Sequence, residues 1–190
     1  MSKEGPEVQQ LIGTGGYDGS RLWLIPVAHD GNQSASAEEV DAVESLVRTL
    51  LAPGAQWIGE HGVPRSLTGD DLRVVAPFNA QVNRLTERLA PFNVPVGTVD
   101  KFQGQTAAVV IYSMATSRPE DAPRGMEFLY SVNRLNVATS RARCAVFLVA
   151  SPRLFEPDCR TPRQIRLASA MCRFREMAGE QGATSRQAGL

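Results

Sequence analysis

The sequence predicts a three-layer α/β domain with a mainly parallel sheet. Segments with the composition of strands alternate with segments whose apolar residues recur at helical spacing. One strand, AAVVIYSM at residues 107–114, is almost continuously apolar, which is typical of a strand buried on both faces of a parallel sheet. Alternating strands and helices form such sheets through right-handed crossovers, so we expect helices on both faces.

Five strands are predicted, at residues 21–27, 72–76, 96–99, 107–114 and 144–150. The first helix begins after Ser36, which forms a capping-box pattern with Glu39, and it ends before Pro53. Asn79 is expected to cap a second helix. Further helices are predicted at residues 133–141 and 161–177, and loops at residues 59–71 and 117–125.

The length of 190 residues suits one domain with an ordinary core. Residues 1–20, which include GTGGYDGS, are predicted to be a flexible lead-in, residues 21–178 the folded domain, and residues 179–190 a disordered tail. No apolar run approaches the roughly 20 residues that span a bilayer. The N-terminus also lacks a signal-peptide core, so we expect a cytoplasmic protein that does not bind membranes.

The composition argues against a metal centre or a disulfide framework. The three cysteines form no CxxC pair, and there are only two histidines. The net charge is zero, but nine arginines fall within residues 131–175. This cluster indicates phosphate or nucleic-acid contact, or simply a compositional bias toward arginine.

Three segments carry residues that could do chemistry: APFNAQ at 76–81, VGTVDKFQGQT at 96–106 and NRLNVATSRAR at 133–143. Ligands of open parallel sheets bind at the carboxyl ends of strands, so we expect all three at that edge. In the first, Asn79 or Gln81 could face a phosphate at a helix N-terminus. Each segment also has an ordinary structural interpretation: a strand-to-helix turn, a glycine bend and a solvated basic helix.

Several catalytic patterns are absent from the sequence. It contains no GxxxxGK[ST] phosphate loop, no strand that ends in a Walker B acidic pair, and no GxSxG elbow. The chain alone therefore does not predict a complete active site.

Together the three segments resemble motifs IV, V and VI of superfamily 1 helicases, in the branch of the nonsense-mediated-decay RNA helicase and its DNA-acting relatives. APFNAQ is similar to TPYxxQ, TVDKFQGQT to TVDxFQGxE, and RLNVATSRAR to RLNVAxTRA. The resemblance covers about residues 22–150. It implies the second RecA-like motor domain of an ATP-dependent helicase or translocase, of the P-loop NTPase type but without its own P-loop.

The resemblance also implies roles for individual residues. ATP would bind between this domain and an N-terminal RecA-like domain, which would hold most of the ATP and the Mg²⁺. Arg141 would be the catalytic arginine finger. The implied ATP-binding residues are Gln103, Gly104, Gln105, Thr106 and Arg134. The implied contacts to single-stranded DNA or RNA are Pro77, Phe78, Asn79, Thr98 and Asp100. These implied roles depend on Arg141 projecting from a packed helix into the nucleotide pocket: a guanidinium inside the core, or at the edge opposite the strand carboxyl ends, would end the proposal.

Two departures from the family pattern leave alternatives open. Thr106 stands where the family usually has glutamate, and Ser140 where it usually has threonine. A degenerate, non-hydrolysing RecA-like module that only binds partners is therefore the second hypothesis. A stand-alone dinucleotide enzyme is the third, although the chain has no GxGxxG after its first strand.

Overall fold

The computed structural model describes residues 9–102, 104–131, 136 and 140–187, with side chains as far as Ala178. The strands are β1 Gln10–Ile12, β2 Arg21–Pro26, β3 Gln56–Ile58, β4 Pro64–Ser66, β5 Leu72–Val75, β6 Val96–Gly97, β7 Ala107–Ser113 and β8 Ala142–Ala150. The helices are α1 Ala37–Leu50, α2 Asn79–Leu89, α3 Gly125–Leu129 and α4 Pro162–Gln187.

The main sheet contains five strands in the order β2-β8-β7-β5-β6, and every pairing in it is parallel. β7 lies at the centre and all seven of its residues are buried, as its apolar sequence predicts. Because the strands are parallel and in register, the carboxyl ends of all five lie at one edge of the sheet and the amino ends at the other.

Helices cover both faces of this sheet. On one face, Val43 and Leu85 of α1 and α2 pack into a core with Ile111 of β7. On the other face, residues of α3 and α4, including Leu129 and Met171, pack against the opposite side chains of the same strands. The predicted fold class, a three-layer α/β domain with a mainly parallel sheet, is confirmed.

The predicted flexible lead-in is wrong for residues 9–20. β1 pairs with β3, and β3 with β4, in a small antiparallel sheet beside the main one. Leu11 is only 1% exposed and lies opposite Trp57. The glycine-rich stretch folds back, so that Leu11 and Gly19 exchange backbone hydrogen bonds of 3.0 and 2.9 Å. A three-residue strand has too short a pattern to be recognised before its distant partner is known.

The two predicted helix caps differ in outcome. The hydroxyl of Ser36 accepts the N–H of Glu39 at 3.1 Å, as expected of an N-cap. The reciprocal half of the capping box is missing, because the N–H of Ser36 donates to Oε1 of Gln81. Asn79 is the first residue of α2 rather than its cap, which is Phe78.

The other differences concern boundaries. The last helix continues to Gln187, beyond its predicted end at residue 177 and into the predicted tail. Residues 59–71, predicted as a loop, contain β4 and a short 3-10 turn. Most of the predicted helix at residues 133–141 lies outside the described residues. In the part of the chain that the structure describes, no helix is long and apolar enough to cross a membrane.

Candidate functional site

The five residues expected to contact a single strand line one open groove at the carboxyl edge of the main sheet. The groove has a volume of about 400 Å³. We call it the carboxyl-edge groove, and its lining residues are Pro77, Phe78, Asn79, Thr98, Asp100, Arg124 and Phe128. The structure thus brings together two segments that are about twenty positions apart in the sequence.

Parallel pairing of β5 with β6 explains why these two segments meet. Val75 at the end of β5 is in register with Gly97 at the end of β6. The next N–H along, that of Ala76, donates to the carbonyl of Gly97 at 3.1 Å. Residues 77–79 and Thr98 therefore leave the sheet side by side at its carboxyl edge.

Gly97 is required by the packing behind the groove. A Cβ at this position would lie 2.4 Å from Cδ of Lys101, whose ammonium donates to the carbonyl of Val96 at 2.7 Å. The aliphatic part of the Lys101 side chain thus lies across the end of β6, and its ammonium group binds to the backbone of that strand. A side chain at position 97 would displace the side chain of this lysine.

Two groove residues were not predicted from the sequence, Arg124 and Phe128. The guanidinium carbon of Arg124 lies 4.0 Å from the centroid of the Phe128 ring. That ring in turn contacts Phe78, with the two centroids 5.5 Å apart. Both residues fall in or next to a segment without a recognised motif, and the contact with Phe78 places them beside the groove.

The backbone of Arg141 lies at the amino edge of the sheet, so the expected position of this residue at the carboxyl edge is wrong. Arg141 directly precedes β8, and its carbonyl accepts the N–H of Ala107, the first residue of β7, at 3.0 Å. The rule about carboxyl ends concerns loops that leave strands. This segment instead enters β8, so it ends where the strand begins.

Part of the predicted ATP-binding set lies at the same amino edge. Thr106 directly precedes β7, and its hydroxyl accepts a hydrogen bond of 3.1 Å from Nη2 of Arg143. Gly104, with a φ of 84°, has open space where a Cβ would stand. Gln105 lines a small cavity together with Arg141. Gln103 and Arg134, the remaining two members of the set, lie outside the described residues.

Arg141 shares a small cavity with a second arginine, Arg73 of β5. The cavity is lined by Arg73, Val75, Val99, Phe102, Gln105, Val110 and Arg141. The Nε atoms of both arginines are buried, and neither has a hydrogen-bond acceptor among the described residues. Nη1 of Arg73 donates to the carbonyls of Asp70 and Leu72, both at 2.7 Å, and the cavity volume of about 10 Å³ is too small for a phosphate.

Gln81 does not face a ligand, in contrast to one of the two possibilities considered for APFNAQ. It is fully buried, accepts the N–H of Ser36 at 2.9 Å and donates to the hydroxyl of Ser113 at 2.9 Å. That hydroxyl donates in turn to the buried carboxylate of Glu39 at 2.6 Å. This network joins α1, α2 and the end of β7, which is a structural role.

No metal centre is found in the part of the chain that the structure describes, where no group of three or more histidine, cysteine or acidic side chains could hold an ion.

Residues 26–153, which include both edges of the main sheet, match the AAA domain family. The chain belongs to this AAA domain family.

Proteins named as helicases are among the relatives of this AAA domain. It is 31% identical to "Probable RNA helicase armi" of Drosophila melanogaster over 100 residues, which cover 49% of this chain and 8% of the relative. It is 27% identical to the DNA replication ATP-dependent helicase/nuclease JHS1 of Arabidopsis thaliana over 131 residues, 68% of this chain and 10% of the relative. The resemblance to the C-terminal motor domain of superfamily 1 helicases is thereby confirmed.

The AAA domain accounts for only a small part of these proteins, between 7% and 14% of the length of the curated relatives it matches. Its structure is also similar to the C-terminal domain of a possible DNA helicase from Lactobacillus plantarum WCFS1. The TM-score is 0.44 and the identity 16%, over 78% of this chain and 80% of that one.

Proposed function

We propose that this AAA domain is the second motor domain of an ATP-dependent helicase or translocase that moves along single-stranded DNA or RNA. In this proposal it supplies part of the single-strand track and the arginine finger. An N-terminal RecA-like domain of the parent protein supplies the phosphate loop, the Mg²⁺ site and most of the ATP contacts.

The observation that carries the proposal is the separation of two residue sets to opposite edges of one sheet. The set expected to contact nucleic acid lines the carboxyl-edge groove. Thr106, of the set expected to contact ATP, lies at the amino edge, where Arg141 directly precedes β8. β7 spans the two edges with seven residues, about 20 Å at about 3.3 Å per residue, and the cavity of Arg141 extends between them to Val75 and Val99, next to the groove.

The groove suits a phosphodiester backbone because its donors are not specific for a base. Thr98 offers a hydroxyl, and the first N–H groups of α2 face the same region without a side-chain cap. Contacts of this kind position a strand without reading its sequence, and they weaken as salt rises. A translocase needs this property, since it must hold every sequence in turn.

At the amino edge, Arg141 would act on ATP bound by the partner domain. A guanidinium that reaches a γ-phosphate stabilises the charge that develops in the transition state, which contributes roughly 10³–10⁵ in rate in other nucleotide hydrolases.

The segment at residues 98–106 would link the two sites. It begins beside the groove at Thr98, next to the carboxyl end of β6, and ends at Thr106, next to the amino end of β7. A change in the contacts to ATP would therefore be transmitted along these nine residues to the contacts with the single strand. A change in the contacts with the single strand would be transmitted back to ATP in the same way.

The test is the ATPase activity of this domain joined to its N-terminal RecA-like partner. We expect turnover that rises on addition of a single-stranded oligonucleotide, and little or no turnover from the 190-residue chain alone. A two-domain protein that is folded, binds ATP and gains no turnover from any single strand would contradict the proposal.

A degenerate module that binds nucleic acid or protein without hydrolysis is the second candidate. The observation that favours it concerns Thr106, which stands where the family usually has glutamate. Its hydroxyl already accepts a hydrogen bond from Arg143. The discriminating variant is Thr106→Glu in the two-domain protein. A large gain in ATPase would favour degeneration, whereas unchanged activity would favour a competent natural variant.

A further inference from the structure

We propose that Arg124, whose guanidinium lies over the ring of Phe128, binds a backbone phosphate in the carboxyl-edge groove. The inference rests on the proposed function, because it adds a contact to the same single-strand track. Neither residue belongs to the three motifs from which that track was predicted.

The stacking geometry leaves the right part of the guanidinium available. Its carbon lies 4.0 Å from the ring centroid of Phe128, which is van der Waals contact. This contact of the guanidinium carbon with the ring uses none of the N–H donors in a hydrogen bond, and these donors lie in the plane of the group. Those in-plane donors are the ones that bind phosphate oxygens in pairs.

The position of the Phe128 ring, which Arg124 contacts, is itself fixed by packing. Phe128 packs against Phe78, the residue before α2, with a centroid distance of 5.5 Å. The next two residues, Leu129 and Tyr130, are 3% and 2% exposed, and the hydroxyl of Tyr130 donates to the carbonyl of Leu154. α3 has only five residues, and a helix this short depends on packing for its stability. These buried contacts fix the position of α3 and therefore that of Arg124.

The charges around Arg124 leave it available for an anion. Among the described residues, it forms no ion pair within 4.0 Å. Glu127, on the same short helix, is paired with Arg163 at 2.9 Å. The groove also contains Asp100, whose carboxylate would repel a phosphate if no cation stood in the same groove. Arg124 supplies that cation.

The test measures binding of a short fluorescein-labelled oligothymidylate to the 190-residue chain by anisotropy, at several salt concentrations. Arg124→Ala is expected to lower the affinity about tenfold, since it removes a charge-assisted contact. It should also lower the magnitude of the slope of log affinity against log salt by about 0.7, the value for one phosphate on a single strand. Arg84→Ala, an equal change of charge on the exposed outer side of α2, should change neither quantity.

Three further measurements separate the parts of the proposal. Arg124→Lys keeps the charge but not the planar guanidinium, and Phe128→Leu removes the aromatic ring. Both variants should bind the oligonucleotide more weakly than the wild type but more tightly than Arg124→Ala. Wild-type affinity of both variants would overturn the stacking. An oligomer with abasic sites should show the same loss with Arg124→Ala, because the contact is to phosphate. Disappearance of the loss with that oligomer would overturn the phosphate assignment.

Failure of this inference can be told apart from failure of the proposed function. If Arg124→Ala binds like the wild type while Thr98→Val loses affinity, the track stands and the role of Arg124 is wrong. If the wild-type chain binds no single strand at low salt, both are overturned.

Discussion

Nε2 of His29 lies 3.0 Å from Oε1 of Glu39, and both side chains are completely buried. The second carboxylate oxygen of Glu39 accepts the hydroxyl of Ser113 and the N–H of Ala115, at 2.6 and 2.9 Å. Nδ1 of His29 lies 2.7 Å from the hydroxyl of Ser117. These contacts fix the loop after β2 and the loop after β7 to the start of α1, directly at the carboxyl edge.

His29→Ala should therefore destabilise the domain by about 3 kcal/mol, because it removes a hydrogen-bond partner of Glu39 and leaves the carboxylate of Glu39 buried without that partner. Urea unfolding followed by circular dichroism measures the change. His61→Ala is the matched control, because that histidine is exposed and should cost almost nothing. Equal stability of the two variants would show that the buried pair contributes nothing.

The small antiparallel sheet gives a second prediction. Leu11→Ala should lower the free energy of unfolding by about 2–5 kcal/mol, because Leu11 is 1% exposed and packs into the main core. Ile12→Ala, on the same strand but 37% exposed, should have a much smaller effect. If both changes are silent in denaturant unfolding, residues 9–20 are the flexible lead-in that the sequence suggested.

Cysteine chemistry gives a third prediction, with a defined dependence on pH. Burial raises the pKa of the Cys144 thiol to about 11, so at pH 8 almost none of it is thiolate. Alkylation by iodoacetamide, read by peptide mass spectrometry, should be slow at Cys144 and should accelerate as the pH rises toward 11. Cys159 is half-buried and serves as the internal comparison. Equal rates for the two thiols at pH 8 would contradict the burial of Cys144.

The sheet could be predicted because its signal is local. The apolar runs of β7 and β8 report burial on both faces without reference to any other part of the chain. β1 could not be predicted in this way, because three residues become a strand only by pairing with β3, more than forty positions later. The same limit applies to Gln81, whose partners come from α1 and β7.

The candidate site shows the same division. Thr98 and Asn79 could be placed together because each follows a strand, and neighbouring parallel strands end at one edge. Arg141 was placed at the wrong edge because its segment enters a strand rather than leaving one. Arg124 had no sequence signal, since its place at the groove depends on the contact between Phe128 and Phe78, which are distant in sequence.

The most direct test of the account compares ATP turnover and single-strand binding in Arg141→Ala of the two-domain protein. Since Arg141 is not among the residues that line the groove, we predict that stimulated turnover falls by roughly 10³ or more while the affinity for an oligothymidylate stays the same. Arg84→Ala controls for loss of an exposed positive charge. Undiminished turnover in Arg141→Ala would contradict the assignment of the arginine finger.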